Sequence, residues 1–247
     1  MNKKLLILCF ALLSAFSASA QKAMNRPYVD DKLFHFGFSL GVNFMDYSIH
    51  TVDEPLTGTL QGENLGEAAN LENTMIYARC KYMIPGFSVG FIGDLRLCEY
   101  LNLRLIPQLH FAERDITYKW ETTDEAGNEE EHLRKTSLLS IPIAIPLELK
   151  WSAQRCGNYR PYVTVGGGVS YNCFENKEKP IIPKRLDYFT EIGAGCDVYF
   201  SWFKFCPQLK YQLGFNDLSP ETHTEFLNSQ AVKRMRSHMI SLVFNFE

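Results

Sequence analysis

This chain of 247 residues lacks most of what would assign it a chemistry. Beyond residue 20, no stretch reaches the roughly 18 uncharged apolar residues that a membrane-crossing helix needs. Its cysteines fall in no metal-ligand spacing, so no metal ion is implied. There is no G-x-S-x-G elbow and no H-E-x-x-H pair. Gly166-Gly167-Gly168 lacks the Lys-Ser/Thr and the following helix of a phosphate cradle, so it reads as room in a wall. The formal charge is −3, with no basic patch, which argues against nucleic acid as a partner. No cofactor is implied.

What the chain does have is alternation. Phe203, Phe205, Leu209, Tyr211, Leu213 and Phe215 interleave with Lys204, Cys206, Gln208, Lys210, Gln212 and Gly214. Phe34, Phe36, Phe38, Leu40, Val42 and Phe44 interleave with His35, Gly37, Ser39, Gly41 and Asn43. A period of two puts one set on each face of a strand. About 9–11 such residues, tilted, cross the hydrocarbon of a bilayer. Barrel strands hide their hydrophobicity from window averages. The fold expected is therefore all-β: an eight-stranded antiparallel transmembrane β-barrel of outer-membrane type, in up-and-down order.

The strands expected are 33–47, 86–97, 100–112, 138–151, 159–172, 187–199, 202–216 and 237–246. Between them, 48–85, 113–137, 173–186 and 217–236 are long, whereas 98–99, 152–158 and 200–201 are short. Outer-membrane barrels sort their connections this way, with tight periplasmic turns and long outer loops. Tyr100, Trp151, Tyr159, Tyr199 and Trp202 sit near the short turns, as interfacial aromatics do. Pro107, Pro142, Pro146 and Pro207 fall inside strands, where bulges are expected to absorb them.

The N-terminus reads as a secretory leader. Lys3 and Lys4 precede the apolar core 5–16, and Ala18-Ser19-Ala20 is an A-x-A site, with cleavage between Ala20 and Gln21. The division expected is a signal peptide (1–20), a periplasmic segment (21–32) and the barrel (33–247). Of seven cysteines, Cys9 lies in the leader. Cys98 and Cys156 fall in turns on one side, and Cys80 and Cys173 near the opposite rim. A disulfide in either pair and free thiols are both open.

The second face describes the interior. Gly37, Gly41, Gly90, Gly166, Gly168, Gly193, Gly195 and Gly214 leave room there for Tyr162, Phe189 and Arg104. The same face carries Asp94, Arg96, Arg104, Glu148, Lys150, Arg160, Glu191, Asp197, Lys204 and Lys210. Opposite charges in a narrow bore are expected to pair into a structural polar network, since a lone buried charge is costly.

Candidate chemistry is thin. His35 and His110 face the lumen, and Ser140, Ser170 and Ser241 share it, but lumenal histidines serve mostly as hydrogen-bonded filler. His50, His132 and His223 read as loop residues, and His238 as near the outer rim. The loop 113–137, with Glu121, Asp124, Glu125, Glu129, Glu130 and Glu131, lacks a calcium-binding spacing and reads as a solvated hairpin around Gly127-Asn128. The loop 48–85 reads as mobile. No catalytic residue is assigned.

The run Asp31-Lys32-Leu33-Phe34-His35-Phe36-Gly37-Phe38-Ser39-Leu40-Gly41-Val42-Asn43 resembles the opening strand of the PorT family of Bacteroidetes outer-membrane barrels. Leu139-Ser140-Ile141-Pro142 and Pro146-Leu147-Glu148-Leu149-Lys150-Trp151 are similar to the strand that those barrels share. Arg160-Pro161-Tyr162 with Gly166-Gly167-Gly168 is similar to the next. The resemblance implies a non-enzymatic barrel serving type IX secretion. The partners it implies are outer-membrane lipid, the barrel-insertion machinery and type IX secretion components. Barrel proteins end on an aromatic that the insertion machinery reads; here Phe246 is penultimate and Glu247 follows. The alternatives are a small porin-like barrel for membrane stability or adhesion, an outer-membrane lipid-modifying enzyme, and a soluble lipocalin-like barrel with its faces inverted.

Overall fold

The computed structural model describes residues 24–61, 69–80, 84–123, 129–174, 181–220 and 226–247. The expected leader with Ala20 and Gln21, together with Asp124, Glu125, Gly127, Asn128 and His223, lies outside them.

After a 3-10 turn at Val29–Asp31 come β1 (Phe34–Thr51), β2 (Leu56–Leu60), β3 (Ala69–Thr74), β4 (Ile76–Cys80), β5 (Pro85–Arg96), β6 (Leu101–Leu105) and β7 (Gln108–Thr123). There follow β8 (Glu129–Ser140), β9 (Pro142–Ser152), β10 (Tyr159–Asn172), β11 (Leu186–Tyr199), β12 (Lys204–Gly214), α1 (Leu227–Gln230) and β13 (Val232–Phe246). The main sheet runs β1, β13, β12, β11, β10, β9, β6, β5, and the pairing of β1 with β5 closes it. β6 and β7 are one wall interrupted at Ile106-Pro107, and β8 and β9 are one wall interrupted at Ile141. With each counted once, the ring has eight antiparallel strands. β4 pairs with β7 above the ring, and β2 and β3 form a separate hairpin.

Closure removes the free edges that a sheet otherwise exposes. It also demands that proline be accommodated inside the ladder. The expected bulges are absent at all four prolines, because proline forfeits one donor without adding a residue. Gly93 pairs with Leu105 and Gly90 with Gln108, so β5 keeps one register across the gap at Pro107. The carbonyls of Pro107 and Pro146 still accept bonds from the N–H groups of Phe91 and Ile106, at 3.1 and 3.3 Å.

The outer wall carries apolar rows. Phe36, Phe91, Ile145, Val165, Ile192 and Leu209 are all exposed, which in water would be a costly surface. Trp151, Tyr159, Trp202 and Tyr100 are exposed near the short turns. Tyr199 is not: it is 1% exposed and points inward. Its odd number places it on the inner row of β11 with Glu191 and Asp197, so nearness to a turn misjudged its face.

The strands also run further than expected. β7 and β8 extend the hairpin to Thr123 and Glu129, and much of 48–85 is strand rather than loose loop. Along β7 the alternation continues but its sense reverses. His110 faces inward and Phe111 outward; beyond them Ile116, Tyr118 and Trp120 face inward, while Asp115, Lys119 and Glu121 face out. A strand in lipid is apolar outside, and a strand in water is apolar inside. His132 accordingly belongs to β8, not to a loop, and stacks on Trp120 with ring centroids 5.4 Å apart. Above the ring, Tyr47, Leu60, Ile76, Tyr118, Leu227 and Met235 belong to one buried apolar core, roofed by the β2–β3 hairpin and α1.

Candidate functional site

Eight strands leave a bore that side chains can fill, and here ionic side chains fill its lower part. Arg104 on β6 donates from Nε to Asp94 Oδ2 on β5 at 2.6 Å and from Nη2 to Glu247. Lys204 on β12 also pairs with Glu247. Lys150 on β9 reaches across β10 to both carboxylate oxygens of Asp197 on β11, at 2.8 and 2.6 Å. Lys210 on β12 spans the bore to Glu148 on β9, and stands 3.7 Å from Glu191 on β11. Gln208 Nε2 donates to Thr164 at 2.8 Å, and Asn245 donates to Gln208 at 3.2 Å. Each of these ions is buried. Removing a charge from water costs several kcal/mol, so the set is tolerable only because each ion stands beside one of opposite sign, five acids sharing four bases.

Glycine makes the crossings possible. A Cβ on Gly195 would stand 2.5 Å from the Pro207 carbonyl oxygen and 2.6 Å from the Tyr162 ring, so the buried Tyr162 side chain lies over its paired glycine on β11. The Lys150 ammonium lies 4.0 Å from that ring's centroid and the Arg104 guanidinium 5.6 Å, a favourable cation–π geometry.

Eight of the ten expected network residues meet in the bore. Arg96 and Arg160 are drawn to its short-turn mouth instead. They stand at or beside strand ends, within reach of residues 24–33, which fold under the mouth. Arg96 pairs with Asp31 at 3.1 Å. Arg160 stands 3.4 Å from Asp30 and donates to the carbonyl oxygens of Ala153 and Glu99. The Tyr199 hydroxyl donates to Asp30 at 2.7 Å, and Arg155 stacks 3.6 Å over the Tyr199 ring. The His35 ring meets the Val29 carbonyl at 2.7 Å. A cavity of about 10 Å³ remains there, and one of about 30 Å³ at the junction with the upper core. Spaces of that size hold one or two waters.

Sequence reasoning missed Glu247, the hub between Arg104 and Lys204. The signal was present: Ser241, Val243 and Asn245 are the inner row of β13, and Glu247 is its next member. Its N–H donates to the Lys204 carbonyl at 2.9 Å and its carbonyl accepts from the Lys204 N–H at 2.7 Å. The outer row meanwhile ends on Phe246, which stacks on Phe38 at 4.9 Å.

Among the described residues, no hydrogen bond joins His35 or His110 to a serine, and no group of three His, Cys, Asp or Glu side chains is placed to hold a metal ion. Cys98 and Cys156 are free thiols, as are Cys80, Cys173, Cys196 and Cys206.

The profile of a family described as outer membrane protein beta-barrel domain matches residues 19–219. Among solved structures, the chain is similar to Neisserial surface protein A (NspA). Identity is 10%, the TM-score is 0.43, and the match covers 87% of this chain and 98% of that one. No curated protein matches significantly.

Proposed function

The chain belongs to the family of outer-membrane protein beta-barrel domains, and on that premise we propose that it is a non-enzymatic scaffold of the outer membrane supporting type IX secretion. The observation that carries the scaffold reading is the filled bore. Paired ions from β5, β6, β9, β11 and β12 occupy it, and residues 24–33 lie across its mouth. A conduit needs an open bore, so the protein acts through its surfaces. The ionic network is structural in this reading. The short turns and residues 21–32 face the periplasm, and the leader 1–20 is removed.

The secretion role rests on the PorT-like runs of β1 and β9 and on nothing catalytic. Assembly with, or contact to, a larger translocon is the mode a sealed small barrel permits. The test is a deletion strain assayed for cargo export, joined to co-purification from outer membranes in mild detergent. Loss of export, with secretion components recovered alongside the barrel, supports the role. Intact export with the chain recovered alone removes it, leaving the second reading, a barrel for membrane stability or adhesion. The ordered, apolar-cored dome on the long-loop side favours that second reading.

A further inference from the structure

The outward row of β13 changes character at one step. Phe244, Leu242 and Ile240 face outward, and His238, Arg236 and Arg234 continue the same row upward. At about 3.4 Å per residue and a tilt near 40°, each residue climbs about 2.6 Å. Arg236 therefore stands about 26 Å above Phe246, at the top of an apolar band about 25 Å tall. Arg234 stands one step higher, at headgroup level.

The neighbouring strand completes the feature. On β1, Phe44 pairs with Ile240, Asp46 with His238, Ser48 with Arg236 and His50 with Arg234. His238 faces Asp46 at 3.7 Å. Arg234, Arg236 and His50 are exposed; among the described residues neither arginine stands within 4 Å of a carboxylate, and the charge of Arg234 is felt by Asp217. Beside them is an open hollow of about 680 Å³ lined by Ile49, His50, Thr51, Asp53, Asp217, Lys233 and Arg234. Asp53 is taken up by Lys233 at 3.7 Å. The rim is not basic everywhere: beyond Phe111, the outward row of β7 continues as Glu113 and Asp115.

We propose that Arg234 and Arg236, with His50 beside them, dock the phosphate of an anionic lipid headgroup in the leaflet at the long-loop end. Two arginines on one face, their Cα atoms about 7 Å apart, can bring both guanidinium groups to one phosphate, and each suits bidentate capture of its oxygens. The occupant is a lipid rather than a soluble anion because the stripe continues the lipid-facing row. A headgroup held there lays its acyl chain down Ile240 and Leu242. The inference uses only the lipid-facing wall that the family carries, and is independent of the secretion role.

Native mass spectrometry of the full chain, released from micelles doped with phosphatidic acid or phosphatidylcholine, tests it. The unaltered chain is expected to retain phosphatidic acid preferentially. The preference should fall about fivefold for each arginine replaced by glutamine at 234 and 236. Lys135→Gln, an outward cation on β8, should leave it unchanged, and millimolar inorganic phosphate should fail to displace the lipid. Equal retention of both lipids by the unaltered chain overturns the proposal without any variant. So does an undiminished preference in a folded R234Q/R236Q chain, and displacement by phosphate would mark a free-anion site instead.

Discussion

One interior is built from two opposite chemistries. In the lower part, Arg104, Lys150, Lys204 and Lys210 interlock with Asp94, Glu148, Asp197 and Glu247, and the outside is Phe, Leu, Ile and Val. In the upper part, Leu60, Ile116, Tyr118, Leu227 and Met235 fill the inside, and Asp115, Lys119, Glu121 and Lys135 line the outside. The same strand, β7, serves both with no change of register. What reverses is the solvent outside, lipid below and water above, and each strand keeps its apolar face toward the less polar side or the core. The reversal near Phe111 to Arg114 therefore marks the edge of the hydrocarbon on this wall.

The largest way to break the contrast is to unbalance the lower part. Lys210→Met leaves Glu148 and Glu191 without their shared cation, and removing one partner of a buried pair costs about 3–5 kcal/mol. Urea unfolding in lipid vesicles should show that loss in the global transition. In the upper part, Leu60→Ala removes packing from an apolar core and should cost about 2 kcal/mol or somewhat more. That loss should appear as faster hydrogen exchange confined to β2, β3 and α1, with the lower strands unchanged. Gly195→Ala sharpens the account of the bore, since the added methyl meets both the Pro207 carbonyl oxygen and the Tyr162 ring. Overpacking of that kind costs about 1–3 kcal/mol, and a Tyr162→Phe background should not relieve it, because the Pro207 carbonyl and the ring itself are still struck.

The smallest effect is expected at the rim. Burial pushes the Asp217 carboxyl up, but the N–H groups of Met235 and Ser219, donating at 3.0 and 3.1 Å, outweigh it and hold the carboxyl below its usual 3.8. A depressed carboxylate stabilises the fold above its unfolded value and loses that contribution as pH falls through the folded one. Protection of the Met235 and Ser219 amides, relative to their intrinsic exchange rates, should fall below about pH 4, and Asp217→Asn should show reduced protection at neutral pH with no further acid step.

The lower part was legible because period two and charge on one face leave few alternatives. All eight walls and the inward set from Asp94 to Lys210 can be read from parity alone. The upper part was read as loop because its outward residues, such as Asp115, Lys119 and Glu131, look solvated, and they are. The alternation there has the opposite sign, so a search for apolar-outward rows stops at Ala112. Tyr199 and Glu247 were misjudged for a related reason. Both were read by their closeness to a turn or an end, when the parity of β11 and β13 already placed them inside. The pull of residues 24–33 on Arg96 and Arg160 is tertiary, and no local pattern announces it.

The most direct test is photolabelling of the reconstituted barrel with a diazirine placed in the acyl chain of the surrounding lipid, read by peptide mass spectrometry. The account predicts labels on Leu103, Ile143 and Leu209, and none on Arg104, Lys210, Lys119 or Lys135. Labelled Arg104 and Lys210 with unlabelled Leu209 and Ile143 would contradict it.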